Sequence, residues 1–334
     1  MYSHLISKCC LTIVLTVLAT GCYTQNLSKS TKKILRGIGK HKGIECASCN
    51  FKAEPLTAED SSKQLWQVAT DKDLELLTDH VHPELRCYAF KGLAKRPNAN
   101  VFPILLKHLT DHKHVVTIGG CLITEESVAD YFMDVVGDHR RSILSDTQWT
   151  ILDSILLFQK GITVRAKDML LSKIAPKPEN YDRIREIATK EKNPAAALAL
   201  ARYKKPGDID IIKSLFDGRY TESYALRAAK EFHDTAFYPL LYTLFERKWQ
   251  SSEHDYFGNM MLYQTLATYP CKATYELFKR TTEISDEDRY QTWCTYLLVA
   301  LTKYPNELFT PLLSNIKLNQ ENQDFVKREL EYDW

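Results

Sequence analysis

The sequence predicts an all-α protein built as an α-solenoid, in which helical hairpins stack one after another. The chain holds only 12 Gly and 12 Pro in 334 residues. Average usage would give roughly 23 Gly and 17 Pro, and sheets and long loops need those turn residues. The hexapeptide LTDHVH at 77–82 returns as LTDHKH at 109–114, and Pro270 and Pro305 stand in similar segments. A period in the thirties is typical of paired-helix repeats.

The overall composition excludes several classes of protein. Hydrophobic residues make up 44% of the chain and charged residues 26%. These are values of a globular protein, and neither a disordered chain nor a polytopic membrane protein has them. The formal net charge is only +2, whereas a dedicated nucleic-acid binder carries a clear basic excess. We therefore expect no nucleic-acid partner.

The N-terminal residues have the pattern of an export signal. An apolar run from Cys9 to Ala19 is long enough for a signal-peptide core and too short to span a bilayer. It continues into LATGC, which resembles the lipobox of bacterial lipoproteins, with Cys22 at the acylated position. The resemblance implies that 1–21 is removed and that Cys22 carries diacylglycerol and palmitate. Residue 23 is Tyr and not Asp, which by the same resemblance favours the outer membrane over retention in the inner membrane. Plain secretion and an uncleaved anchor remain alternatives, because Ala19 stands where the motif usually has Leu.

Residues 22–58 are predicted to be the lipidated cysteine and a flexible basic tether. Six basic residues and no acid lie between residues 26 and 43. Two interpretations stay open, namely attraction to anionic lipid headgroups and a solvated linker. Cys46 and Cys49 form a CxxC motif, for which an oxidising periplasm favours a local disulfide. A metal half-site, redox activity and free thiols are the alternatives.

Residues 59–334 are predicted to form the solenoid, and residues 70–97 show its repeat most clearly. They contain an apolar helix, a turn with Asp and Pro, and a second helix that opens with Leu-Arg. This pattern resembles a HEAT repeat. The residues that carry the resemblance are Asp79, Pro83, Leu85, Arg86 and Ala89. The second copy lacks the Pro and the Arg, and TPR-like or unclassified helical repeats remain alternatives.

Joints of one kind mark where one helix ends and the next begins. Proline ends a helix and is tolerated in the first turn of the next one. The joints lie in GLAKRPNANVFPILLKHL, ALARYKKPGDIDIIKSLF, KEFHDTAFYPLLYTLF, TLATYPCKATYELF and ALTKYPNELFTPLLSNI. Helix starts are predicted at the capping box of Ser145 and at Asn193-Pro194. Extended runs of alternating polarity are absent, and residues 115–145 are the least regular segment.

Half of the ten histidines lie within 35 residues. Equivalent turns of stacked repeats lie on one edge, so these side chains are candidates to converge on a metal together with Asp79 and Asp111. The histidines concerned are His80, His82, His112 and His114, whereas His108 is expected to cap or pack within a helix. The simpler interpretation is that polar turns recur because repeats recur, and we predict no metal site.

Four further cysteines lie in the predicted solenoid. Their spacing allows a pair between Cys87 and Cys121, about one repeat apart, and a pair between Cys271 and Cys294. Buried free thiols on apolar helix faces are an equal alternative. Connectivity does not follow from sequence, since four cysteines allow three pairings.

Aromatic residues concentrate in the C-terminal half, where helical spacing places most of them in the core. Trp249 and Tyr256 stand near a helix junction. Solenoids bind through extended surfaces on which Trp and Tyr are common anchors. We therefore expect these two residues to contact a partner.

No motif of a known enzyme class is present, since the chain has no nucleophile elbow, HExxH, P-loop or GxGxxG. We therefore predict a protein that is not an enzyme and has no cofactor. It is expected to be a lipoprotein anchored in the membrane of the cell envelope, acting as a scaffold for a protein or peptide. The alternative is a metal-binding or thiol-active periplasmic protein that uses the histidine-rich turns or the CxxC motif.

Overall fold

The computed structural model describes residues 27–38, 44–45, 58–119, 122–137, 142–251 and 255–331. Helices dominate these residues, which confirms the predicted all-α helical-repeat fold. The chain divides into two compact units, Met1–Lys167 and Asp168–Trp334. Each unit is described by itself, and the predicted boundaries at 21/22 and 58/59 stay predictions.

The first unit holds helices and one small sheet. Its elements are α1 (Lys29–Ile38), β1 (Ile44–Glu45), α2 (Ala58–Val68), α3 (Asp71–Leu77), α4 (Pro83–Ala94), α5 (Phe102–His108), β2 (His114–Gly119), β3 (Leu122–Ser127), α6 (Val128–Val136) and α7 (Asp146–Phe158). The next helix, α8 (Arg165–Lys173), contains the boundary between the units. The sheet has the order β1-β2-β3.

The clearest repeat of the sequence forms the hairpin α3–α4, as predicted. Thr70 caps α3, because its side chain accepts from the backbone N–H of Asp73 at 3.1 Å. Pro83 lies in the first turn of α4, where its missing N–H is not needed. Helix α4 then packs on α6, with the rings of Phe90 and Phe132 stacked at 3.9 Å between centroids. This contact joins the second helices of two successive repeats.

A β-hairpin, which the sequence did not predict, is inserted between α5 and α6. Strands β2 and β3 pair antiparallel along their length. The hairpin is closed at its base, where the N–H of Val128 donates to the carbonyl of Lys113 at 2.9 Å. The N–H of Ala129 donates to the carbonyl of Asp111 at 3.2 Å. Helix α4 follows the first LTDH turn directly. Helix α6 follows the second LTDH turn, but the β-hairpin is inserted between that turn and the helix.

The hairpin escaped prediction because apolar side chains occupy both of its faces. Val115 is buried against the first unit. Val116 and Ile123 point to the opposite face and are exposed. The contrast between polar and apolar faces that reveals a half-buried strand is therefore missing.

Part of the segment predicted to be a flexible tether is a helix that packs on the first unit. Leu27 and Thr31 are buried, and α1 contacts α2. The N–H of Ser28 and the hydroxyl of Thr31 both donate to the carboxylate of Asp73, at 3.0 and 2.9 Å. Strand β1 also joins the sheet, beside β2 and parallel to it, through buried Ile44. The basic composition concealed these few buried contacts.

The second unit is a series of helical hairpins. Its elements are α9 (Tyr181–Lys190), α10 (Pro194–Ala201), α11 (Ile209–Lys213), α12 (Glu222–Phe232), α13 (Tyr238–Gln250), α14 (Tyr256–Ala267), α15 (Lys272–Thr282), α16 (Glu287–Lys303), α17 (Thr310–Leu313) and α18 (Gln320–Leu330). Alternate helices pack in chain order, α10 on α12, α12 on α14, α14 on α16 and α16 on α18. This serial stacking of second helices is how a solenoid buries its core.

The five predicted joints all lie where one helix ends and the next begins. They contain Pro97 before α5, Pro206 before α11, Pro239 in the first turn of α13, Pro270 before α15 and Pro305 before α17. A short 3-10 turn accompanies three of them. The recurring proline-containing joint is therefore confirmed as the turn between successive hairpins.

Both predicted helix starts are confirmed by their caps. Ser145 accepts from the N–H of Gln148, whose side chain accepts from the N–H of Ser145 at 3.0 Å. The Asn193 side chain accepts from the N–H of Ala196 at 3.0 Å. Over the described ranges, no helix combines the length and the apolar character needed to cross a bilayer.

Candidate interaction surface

The second unit brings Trp249 and Tyr256 into one continuous row of aromatic rings. Trp249 lies in the last turn of α13, Tyr256 and Phe257 begin α14, and Trp293 and Tyr296 lie one turn apart on α16. Ring centroids are 5.2 Å apart for Trp249 and Trp293, 6.3 Å for Trp293 and Tyr296, 5.6 Å for Tyr296 and Tyr256, and 5.2 Å for Tyr256 and Phe257. We call these five residues the aromatic row.

Trp249 is half-buried beside two arginines. Arg280 of α15 and Arg289 of α16 place their guanidinium carbons 4.9 and 4.7 Å from the centre of its ring. Arg280 also pairs with the carboxylate of Glu246, and Arg289 donates to the backbone carbonyl of Trp249 at 2.6 Å. Cation–π contacts contribute roughly 0.5–1 kcal/mol at exposed sites. The indole is thus held in place while part of this group stays open to solvent.

Tyr256 is packed more tightly than its predicted role as a partner contact implies. Its ring packs edge-on against Tyr296 and Phe325, at 5.6 and 5.4 Å between centroids. Burial, followed by the negative charge of Glu329, raises the pKa of its hydroxyl well above the usual range. The neighbouring Phe257 is 60% exposed. Phe257 is therefore the exposed end of the aromatic row, and the ring of Tyr256 packs edge-on against it.

Sequence reasoning missed Arg280, Arg289 and Phe257. A signal for the arginines was available, because Arg280 is in the last turn of α15 and Arg289 is near the start of α16. A short turn between two helices brings such positions to the same end of a hairpin. Their meeting on Trp249, however, depends on how α13 packs beside that hairpin, and this is a tertiary contact.

The two LTDH turns of the first unit meet around His108. Its Nε2 faces Asp79 Oδ1 at 3.1 Å, and its Nδ1 faces Asp111 Oδ2 at 3.3 Å. Arg86 of α4 completes the group, with Nε 2.9 Å from Asp111 Oδ2 and Nη2 3.1 Å from Asp111 Oδ1. The turn aspartates that were candidates for a metal therefore bind His108 and Arg86. We call these four residues the turn cluster.

Asp111 contacts both Arg86 and His108 within the turn cluster. Burial alone would raise its pKa, but the hydrogen bond from His108 and the charge of Arg86 outweigh burial and lower that pKa. The backbone N–H of Lys113 donates to it as well, at 3.3 Å. Asp111 is thus held as a carboxylate that ties α4, α5 and the base of the β-hairpin together.

The four candidate metal histidines form one stacked pair and two single contacts with other residues. His80 and His82 stack at 5.3 Å between ring centroids. Burial, followed by the charges of His82 and Arg86, lowers the pKa of His80 to about 4. His112 Nδ1 lies 3.4 Å from the hydroxyl of Thr163, and His114 Nδ1 lies 3.5 Å from the carboxylate of Glu125. Within the part of the chain that the structure describes, no three His, Cys, Asp or Glu residues are grouped to hold a metal ion.

Three carboxylates surround Arg165 at the start of α8. Its Nη2 lies 2.8 Å from both Glu126 Oε2 and Asp134 Oδ2, and its backbone N–H donates to Asp130 at 2.7 Å. Burial raises the pKa of Glu126 and of Asp134, and a neighbouring carboxylate adds to each rise. The Arg165 guanidinium itself supplies the positive charge that compensates these carboxylates. The group therefore acts as an ion-pair contact between β3, α6 and α8.

Several sequence predictions fall on residues outside the described ranges. They are the acylation of Cys22 and the disulfide between Cys46 and Cys49. These stay predictions.

The described cysteines are free thiols. Cys87 and Cys294 are buried, as the alternative of unpaired core thiols predicts, and the pair between Cys271 and Cys294 is absent. Burial raises the pKa of Cys294 to about 12, and its thiol donates to the carbonyl of Thr281 at 3.5 Å. Cys271 is exposed and precedes the first residue of α15. The two sulfurs therefore lie in different environments, one exposed and one buried.

No protein-family model, no curated protein and no solved structure matches this chain. Its function has to be inferred from its own residues.

Proposed function

We propose that the protein is a lipoprotein of the cell envelope, anchored through Cys22, and that its second unit is a scaffold for a protein or peptide partner. The observation that carries the scaffold is the aromatic row with its two arginines. Trp, Tyr and Arg are the residue types that dominate binding energy at protein interfaces. Here they are contributed by four successive helices of a repeat array, and repeat arrays bind partners on extended surfaces.

The charges of this surface favour a partner that presents a carboxylate beside an apolar group. Arg280 is already balanced by Glu246. Arg289 donates to a neutral carbonyl, so its positive charge is available to a partner. Phe257 provides exposed apolar area at the other end of the aromatic row. A partner that covered both ends would bury Trp249 beside Arg289, which is the geometry of an interface anchor.

Site-specific photo-crosslinking in membranes tests the scaffold. A photoreactive amino acid at Phe257 is expected to give a discrete adduct, which Arg289→Ala or Trp249→Ala weakens at least tenfold. A matched probe at Tyr220, which is 95% exposed in the same unit, is expected to give no such adduct. Identical adducts at both positions, or an adduct insensitive to both substitutions, would refute the proposed surface.

Radiolabelled palmitate tests the anchor independently. Label in the wild-type chain that disappears in Cys22→Ala supports acylation, whereas no label or undiminished label argues against it. Metal analysis of the purified chain tests the alternative function, and stoichiometric metal would count against a scaffold.

A further inference from the structure

One face of α1 is basic and exposed. Lys29, Lys33 and Arg36 are exposed, and they are spaced four and three residues apart. At 3.6 residues per turn these side chains fall within about 60° of one another. Thr31 is fully buried and lies on the opposite side of the same helix. The described residues of α1 therefore divide into a side that faces the protein and a side that carries only positive charge to solvent.

The opposite side of α1 is fixed to the first unit. Asp73 accepts from the N–H of Ser28 and from the hydroxyl of Thr31. Burial alone would raise the pKa of Asp73, but these hydrogen bonds outweigh it and lower that pKa. Leu27 is 5% exposed. Leu27, Ser28 and Thr31 therefore fix the start of α1 to the rest of the first unit, and the basic face cannot turn inward.

The attachment at Ser28 is close in sequence to the proposed anchor. Only six residue steps separate Cys22 from Ser28. Even a fully extended chain spans at most about 3.6 Å per residue, so the separation is no more than roughly 22 Å. If acyl chains on Cys22 enter the bilayer, the start of α1 is confined to the neighbourhood of the headgroups.

We propose that the exposed face formed by Lys29, Lys33 and Arg36 binds the anionic headgroups of phospholipids and seats the first unit directly on the bilayer. This inference rests on the proposed anchor at Cys22. Charge complementarity and the short connection select a lipid surface as the occupant. The effect of one basic residue near an anionic surface is about 1 kcal/mol, or roughly fivefold. Three residues together favour the docked position by about a hundredfold.

Lysine acetylation of the purified full chain tests this contact. The chain is mixed with vesicles of phosphatidylcholine alone or of phosphatidylcholine with phosphatidylglycerol, and modification of Lys29 and Lys33 is followed by mass spectrometry. We expect both lysines to react at least tenfold more slowly on the anionic vesicles. The variant Arg36→Glu keeps both reporter lysines and should lose most of that protection. The matched variant Arg328→Glu on α18 should keep it.

Two outcomes would overturn the contact. One is an equal rate on both vesicle types, and the other is an equal loss of protection in Arg36→Glu and Arg328→Glu. The mass of the Cys22 peptide in the same sample reports acylation separately. Protected lysines without acylation would reject the anchor and keep the headgroup contact, whereas acylation without protection would keep the anchor and reject the contact.

Discussion

Replacing Asp111 by Asn tests whether the turn cluster stabilises the first unit through charge. The substitution keeps the size of the side chain and one acceptor oxygen. It removes the negative charge that faces Arg86 at 2.9 and 3.1 Å and His108 at 3.3 Å. The side chains of Arg86 and Asp111 are only 10% and 15% exposed, so solvent screens this interaction weakly.

The expected loss in the free energy of unfolding is about 3 kcal/mol. A hydrogen bond to a charged group contributes about 1.5–3 kcal/mol, and the Asn carbonyl recovers part of what is lost. Breaking a buried ion pair costs about 3–5 kcal/mol, which sets an upper bound for this conservative change. At a factor of ten per 1.4 kcal/mol, amides of α4 and α5 should exchange hydrogen roughly a hundredfold faster.

Hydrogen exchange read by mass spectrometry is the suitable assay, because it reports each helix of the first unit separately. Asp146→Asn provides the matched control, since Asp146 is exposed in the first turn of α7, and its effect should stay within about 0.5 kcal/mol. Acceleration of less than about fivefold in α4 would show that the turn cluster contributes no significant charge stabilisation.

The pH dependence of the same comparison has a defined sign. The pKa of Asp111 in the folded protein is lowered below the value near 4 of an unfolded chain. The contribution of the Asp111 carboxylate to the free energy of unfolding is therefore complete above about pH 4. It is lost as the pH falls through the pKa that Asp111 has in the folded protein. The difference in the free energy of unfolding between wild type and Asp111→Asn should be constant near neutral pH and should shrink in acid. A difference that grows on acidification would refute the assignment.

Three further predictions concern thiol reactivity, helix packing and the docking of α1. Cys271 should be alkylated by iodoacetamide well before Cys87 and Cys294, because it is exposed and they are buried. Hydrogen bonds outweigh burial and lower the pKa of Cys271, whereas burial raises the pKa of the other two thiols. Earlier labelling of either buried thiol contradicts this prediction. Gly92→Ala should cost about 1–3 kcal/mol, because its new methyl group meets the Trp66 indole and Leu74. The control Gly207→Ala, with open space around it, should be neutral or slightly stabilising, and equal urea midpoints for the two variants would reject the clash. Thr31→Val removes the hydroxyl that donates to Asp73 and should speed hydrogen exchange in α1 selectively; unchanged exchange there would mean that the bond does not hold the helix.

The sequence was sufficient to predict the repeat joints, because their chemistry is local. Proline lacks an N–H and cannot continue a helix, so Pro206, Pro270 and Pro305 mark turns in any context. The capping residues Ser145 and Asn193 work in the same way, since they bond to the backbone two or three residues ahead. Such signals do not depend on what packs beside them.

The features that sequence reasoning missed depend on contacts between distant residues. The β-hairpin has apolar residues on both faces, so alternation could not reveal it. The role of α1 depends on Asp73, more than forty residues away. The turn cluster is an intermediate case, because the recurring LTDH turns marked Asp79 and Asp111. Only the structure shows that His108 and Arg86 lie between those aspartates.

The serial stacking of the second unit has a consequence for how the chain folds. Each of its helices from α10 to α18 packs on the next helix or the next but one in the chain, so contact order is low and folding of this unit should be fast. The pairing of Ile44 with Thr117 in the first unit closes a far longer loop, and loop closure is an entropic barrier. We therefore expect β1 to join the sheet late, after the helices of the first unit have formed.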